Sequence, residues 1–314
     1  MINNIKENKF EDDEIDLIEF ISILWSGKKT IIISFILSSI FIVFYSLSLP
    51  NIYTSDAVLS PVEVESNMTD ALGDMSSVAG LVGVELSSGS VDRTSIGMEV
   101  MKSRRFFENF INDNEVLVPL IATKGWDVST NQLIIDDKIY DVKNDKWVRK
   151  VSAPLQTNKP STQEALKAFN DIFKIDKNLK TGFINISIDH YSPYVAKRWL
   201  DAIILQINNS IREKDIIQAE AAIKQLNEEI NSTRLTDLKT NLYELVEKQI
   251  EKKVIAQATP EYVFEIIDPP IAPELKSSPR RAVICILGAI AGTILGCLIV
   301  LTRFYFFSKS KISK

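Results

Sequence analysis

Two uninterrupted apolar stretches constrain this chain more than any other feature. No charged side chain interrupts the run between Arg281 and Arg303. A helix of about 20 apolar residues covers the ~30 Å core of a bilayer. Ala282 to Thr302 is therefore read as a membrane span, and Thr30 to Leu49, bounded by Lys28-Lys29 and Pro50-Asn51, as a second. Ser46-Leu47-Ser48 imitates a signal-peptide cleavage site, but the apolar run is long for a signal core and follows an acidic tail. An uncleaved anchor is expected. Gly288, Gly292 and Gly296 recur every fourth residue, so they share one helix face. Glycine lets a neighbouring helix approach closely, and close packing is much of what holds helices together in lipid. These three residues are the expected helix-packing site, with the partner left open: the first span, another subunit or another membrane protein.

The expected organisation is a tail at 1–29, spans at 30–49 and 282–302, a central domain at 50–281 and a tail at 303–314. Lys6, Lys9, Lys28 and Lys29 precede the first span, and Arg303, Lys309, Lys311 and Lys314 follow the second. Lys276, Arg280 and Arg281 weaken that asymmetry. A domain this long crosses largely regardless of charge, so both termini are expected inside and residues near 60–270 outside. The tail at 303–314 is too short for a signalling module, which disfavours a two-span sensor. The net charge of −5 and the lack of a dense basic patch argue against nucleic acid as a partner. Both cysteines, Cys285 and Cys297, fall in the second span, so the central domain cannot form disulfides.

The pattern along the chain is α+β. Ile15, Ile18 and Ile21 mark an amphipathic helix before the first span, with Trp25 as an interface anchor. Ser26-Gly27-Lys28-Lys29-Thr30 imitates half a phosphate loop, but Ser22 stands where its first glycine is required. Tyr53 to Leu59 reads as a strand. Ser66 to Ser90 reads either as a loop with a short helix or as a segment facing a neighbouring subunit. Asp92 or Thr94 caps a helix whose apolar face runs through Ile96, Val100, Met101, Phe106, Phe107, Phe110 and Ile111. A hairpin is expected with Leu133–Ile135 and Lys138–Tyr140 flanking Asp136-Asp137. Ser161 and Glu164 form a capping box for a helix carrying Ala165, Leu166, Phe169, Ile172 and Phe173. Phe183 to Ile188 alternates as a strand with Ile184, Ile186 and Ile188 on one face.

Ser192-Pro193 opens a long helical pattern whose stripe ends near Ile230. Asn231-Ser232-Thr233 shifts the phase, and a second stripe follows at Leu235, Leu238, Leu242, Leu245, Val246 and Ile250. Residues 192–257 are thus expected to form an αα-hairpin extension, favoured over one helix of ~95 Å because it returns the chain for a strand at Tyr262–Ile267.

No catalytic set stands out. His190 is the only histidine and falls in a strand-to-helix turn, where a structural role is expected. No His/Cys/Asp cluster has metal-ligand spacing, so no metal or cofactor is expected, and Gly-x-Ser-x-Gly is absent. Asp136-Asp137 and Glu228-Glu229 read as solvated surface. Asn-x-Ser/Thr matches at Asn67, Asn185, Asn208 and Asn231 are weak signals. A membrane-anchored hydrolase is the enzyme alternative, and it lacks a nucleophile–base pair.

Several stretches together resemble the Wzz-type chain-length determinants. They are the acidic entry Asp13 to Glu19, Leu24-Trp25 and Gly27-Lys28 before the first span, and Leu49-Pro50-Asn51-Ile52-Tyr53 after it. The proline-rich approach to the second span, Pro269, Pro270, Pro273, Pro279 and Arg280, completes the likeness. The kinase-fused relatives do not fit, since only 303–314 follows the second span. The resemblance implies a non-enzymatic polysaccharide co-polymerase of a Gram-negative inner membrane, with a periplasmic α/β base and a helical extension. It implies a homo-oligomer that sets the modal length of O-antigen or a related surface polysaccharide made by the Wzy-dependent route. The implied partners are the Wzy-type polymerase, membrane lipid and the growing lipid-linked polysaccharide.

Overall fold

The computed structural model describes residues 17–62, 93–153 and 157–312. The expectations for the acidic entry before Leu17, for Ser66 to Ser90, for Asn67 and for Asp92 lie outside the described residues. Two compact units emerge: residues 1–50 with 278–314, and residues 51–277.

Among the described residues the first unit holds three helices: α1 (Leu17–Ser26), α2 (Lys28–Ser48) and α9 (Arg281–Ile312). Helices α2 and α9 are both long and apolar enough to cross a membrane. α2 ends as Leu49 turns to extended backbone before Pro50.

The second unit is built on an antiparallel four-stranded sheet ordered β6-β7-β1-β8. Its strands are β1 (Tyr53–Pro61), β6 (Phe173–Lys177), β7 (Ile184–His190) and β8 (Phe264–Asp268). In β1, Tyr53, Ser55, Ala57 and Leu59 are buried; in β7, Ile184, Ile186, Ile188 and His190 are. That alternation follows from the two-residue pleat, which sends every second side chain to one face. Tyr53 pairs with His190 and Leu59 with Ile184, so the buried sets coincide. The helices α3 (Arg93–Lys102), α4 (Arg104–Asn114), α5 (Leu117–Ile121) and α6 (Thr162–Ile172) precede β6 in the chain. The first half of α7 (Pro193–Ser232) supplies Trp199, Leu200, Ile203 and Ile207 to the same core as the sheet.

Three expectations need correction. The helix through Ile96 and Ile111 is two helices, because Ser103 adopts extended backbone and its side chain accepts from the Phe106 N–H. The N-cap at Ser103 starts α4 afresh. The hairpin about Asp136-Asp137 is replaced by two neighbouring hairpins. One pairs β2 (Thr123–Asp127) with β3 (Gln132–Ile135), the other β4 (Tyr140–Asp141) with β5 (Lys146–Trp147). The turns are chosen by other aspartates. Asp127 accepts from Ser129 N–H and both the Ser129 and Thr130 hydroxyls, and Asp141 accepts from the Lys143 and Asn144 N–H groups. Asp bonding to backbone two residues on builds such turns. Finally, Phe173 does not end a helix face but opens β6, pairing with Ile188. Its ring stacks on Phe169 at 5.2 Å, so helix and strand share one core and the change of period is hidden in the sequence.

The extension is a hairpin: α7 has 40 residues, and α8 (Thr236–Ala258) has 23 and returns alongside it. At ~1.5 Å per residue α7 is about 60 Å long. Beyond the main core, Ile230, Leu242 and Val246 form a separate small cluster with Ile223 and Leu226. Lys253 bridges to Glu220 at 2.8 Å across the pair. The expected second stripe is divided: Leu242 and Val246 are buried, whereas Leu235, Leu238, Leu245 and Ile250 are exposed. β8 begins at Phe264, two residues later than expected.

Candidate functional site

The glycines of α9 all face α2. A Cβ on Gly288 would lie 2.5 Å from an Ile42 side-chain carbon, and one on Gly292 would lie 2.3 Å from Ser38 Cβ and 3.2 Å from the Ser34 carbonyl. On Gly296 it would lie 2.9 Å from Ile31 Cα. Real Cβ atoms do not come so close, so the interhelical approach requires glycine. The partner residues fall in number as the glycines rise, which makes the pair antiparallel. Two hydroxyls cross the contact: Ser34 Oγ donates to the Gly292 carbonyl and Ser38 Oγ to the Gly288 carbonyl, both at 2.8 Å.

Sequence reasoning missed the other half of this contact. Gly27 continues it from the opposite side, since a Cβ there would meet the Val300 methyls at 2.4 Å. Ser34 and Ser38 share a four-residue step with Ile42, a spacing that signals a second small-residue stripe. Arg281 closes the far end by donating from Nη2 to the Leu49 carbonyl at 3.3 Å.

The proline-rich residues divide between the two units. Pro279 and Arg280 lead into α9, with the Arg281 N–H bonded to the Pro279 carbonyl and the Ile284 N–H to that of Arg280. Pro269, Pro270 and Pro273 belong to the second unit and follow β8. Prolines lack the N–H a strand needs, so the ladder stops there. Side chains of β1 take over: Ser55 Oγ donates to the Ile271 carbonyl at 2.7 Å, and Thr54 Oγ1, which donates to Asp189, lies 2.7 Å from Ser277 Oγ. The Ser277 N–H and hydroxyl both reach the Ile52 carbonyl, at 2.9 and 3.0 Å.

A buried and a half-buried polar group fix the root of the hairpin. Asn208, read from sequence only as a weak glycosylation match, is 3% exposed. Its Oδ1 accepts from the N–H groups of Val263 and Phe264 at 2.8 and 3.0 Å, and its Nδ2 donates to the Phe264 carbonyl at 2.9 Å. The signal was a polar residue on the stripe Ile204, Ile207, Ile211. Nearby, Asp215 accepts from Tyr262 Oη at 2.8 Å and pairs with Lys252 at 3.2 Å and Arg93 at 3.5 Å. Burial, then the Asp215 carboxylate, pushes the Tyr262 hydroxyl up to about 12. A cleft of about 900 Å³ beside this cluster is lined by Arg93, Val100, Arg105, Lys214, Ile217 and Lys252.

His190 ends β7, buried. Its Nδ1 accepts from the Ser192 N–H at 3.0 Å, which leaves Nε2 to donate to the Pro119 carbonyl at 3.3 Å. Burial lowers its pKa to about 4. With its ring 4.9 Å from Trp199, it pins the turn from strand to helix. Among the described residues no group of three His, Cys, Asp or Glu side chains could hold a metal ion.

Fold and contacts define a class: an α+β domain with a helical hairpin, flanked in the chain by two helices long and apolar enough to cross a membrane. Residues 13–114 match the family model Wzz, chain length determinant protein, which bears out the resemblance at the chain's N-terminal end. No curated protein matches. Among solved structures, a full-length bacterial polysaccharide co-polymerase is similar at 15% identity and TM-score 0.38, over 94% of this chain and 99% of that one. A fragment of WzzB, a polysaccharide co-polymerase from Salmonella Typhimurium, is similar at 12% identity and TM-score 0.28, over 73% of this chain and all of that one. At those scores neither likeness bears on what this chain does.

Proposed function

We propose that the protein regulates the modal chain length of a surface polysaccharide, O-antigen or a related polymer of the Wzy-dependent route. The observation that carries this reading is the match of residues 13–114 to the chain length determinant family. In this reading it is an inner-membrane homo-oligomer with both tails cytoplasmic and residues near 60–270 periplasmic. It acts with a Wzy-type polymerase on the growing lipid-linked chain and catalyses no step itself.

The architecture suits such a role. A bilayer anchor at each end holds the α+β domain to the membrane. The packed spans give that domain two attachments that turn together instead of one swivel. Gly288, Gly292 and Gly296, with Ser34 and Ser38 opposite, are the residues proposed to hold those attachments in register. Electrophoresis of surface polysaccharide from a deletion strain tests the function. Loss of a modal length, restored by the plasmid-borne gene, is expected. An unchanged ladder of lengths would refute it.

A further inference from the structure

The segment between β8 and α9 has a pinned backbone and exposed apolar side chains. Pro270 is buried. The bonds from Ser55 to Ile271 and from Ser277 to Ile52 fix its two ends, and Lys276 Nζ donates to Asn51 Oδ1 at 3.2 Å. Yet Ile271 is 61% exposed and Leu275 83%. Single exposed apolar residues are ordinary on a protein surface. These two differ in what the chain does on either side of them.

Asn51 comes three residues after Ser48, the last of one span, and Ser277 four residues before Arg281, the first of the other. At no more than ~3.5 Å per residue, both strands of chain enter spanning helices within about 14 Å. The polar zone flanking the hydrocarbon core is itself ~5–8 Å deep. An unpaired backbone N–H is costly at the edge of the hydrocarbon core, where water thins out, and Pro269, Pro270 and Pro273 have none.

We propose that residues 269–277 seat on the phospholipid interface, with Ile271 and Leu275 entering the headgroup–acyl boundary. Lys276 keeps its ammonium at headgroup level, as long cationic side chains do beside apolar anchors. The exposed Glu274 keeps the seat shallow, because its carboxylate stays in water. The inference requires only that the two spans cross a bilayer, and it stands apart from the chain-length role.

Nitroxide labels test it in the full chain reconstituted in phosphatidylethanolamine–phosphatidylglycerol vesicles. Cys285→Ala and Cys297→Ala clear the background, and single cysteines replace Ile271 or Leu275. Leu179→Cys, at a site 92% exposed, serves as the aqueous reference, and Phe41→Cys, on a lipid-facing site of α2 72% exposed, as the lipid reference. Collision with oxygen relative to a water-soluble nickel chelate should be on the order of threefold higher at 271 and 275 than at 179, and lower than at 41. A water-like ratio at both sites overturns the seat. Exclusion of both reagents also overturns it, since protein and not lipid would then cover the segment.

Discussion

Replacing Gly292 should loosen the paired spans by a predictable amount. A Cβ there lies 2.3 Å from Ser38 Cβ, so α2 and α9 must part by about 1.5 Å to reach ordinary contact near 3.8 Å. Such a shift takes both 2.8 Å hydroxyl–carbonyl bonds past useful length. Interhelical bonds in membranes are worth about 0.6 kcal/mol on average and at most about 1.7, so the pair contributes roughly 1–3 kcal/mol. Lost packing adds to that, with no hydrophobic compensation, because lipid solvates the new side chain as well as protein does. Gly292→Leu should therefore lower the denaturation midpoint in SDS–detergent mixed micelles and broaden the polysaccharide length distribution, at normal membrane abundance. Gly292→Ala should be milder, and Ile294→Leu, at a site 56% exposed, near neutral. Adding Ser38→Gly to Gly292→Ala removes the clashing carbon and should recover part of the lost midpoint. If Gly292→Leu behaves as wild type, or Ser38→Gly gives no recovery, close packing of this face is not what holds the spans.

Three further outcomes are expected. The His190 pKa is about 4 in the folded chain against 6.5 for an ordinary histidine, so the unfolded state binds more protons between those values. Stability is then full above pH 6.5 and declines toward pH 4, by about 3 kcal/mol. His190→Gln should flatten that acid decline in denaturant midpoints while leaving polysaccharide length nearly unchanged; an equally steep decline contradicts it. Asn208→Leu orphans the Val263 and Phe264 N–H groups and should cost on the order of 2–5 kcal/mol in urea melts; a midpoint equal to wild type contradicts it. Reporter fusions should be active inside at both termini and outside near residue 150, and a terminus reporting outside rejects the proposed topology.

The sequence disclosed most where one period governed a whole element. The charge-free runs located both long apolar helices, and the alternation of Ile184, Ile186 and Ile188 defined the central strand with its buried face. The glycine face was legible from the four-residue step, but its partner was not, because Ser34 and Ser38 look unremarkable inside an apolar run. The hairpins after Asp127 and Asp141 were misplaced because an aspartate's turn depends on which N–H groups its carboxylate captures, and Asp136-Asp137 offered the same letters. Asn208 was hidden for another reason. Its worth lies in a backbone segment more than fifty residues away, and local pattern carries no trace of that.

α7 runs unbroken from the core, where Ile203 and Ile207 pack, out to Ile230 at the small cluster beyond it. Such a helix permits growth only in certain increments. One inserted residue between these ends would turn the far half by 100° and carry its apolar stripe away from α8. Seven residues return the stripe to within about 20°, and eleven do so with the opposite drift. A matching insertion in α8 must accompany either. The extension is thus most readily lengthened or shortened in steps of roughly 10 or 16 Å, with intermediate lengths disfavoured by rotation. Reach is a stepped variable in this architecture, set by paired insertions and deletions.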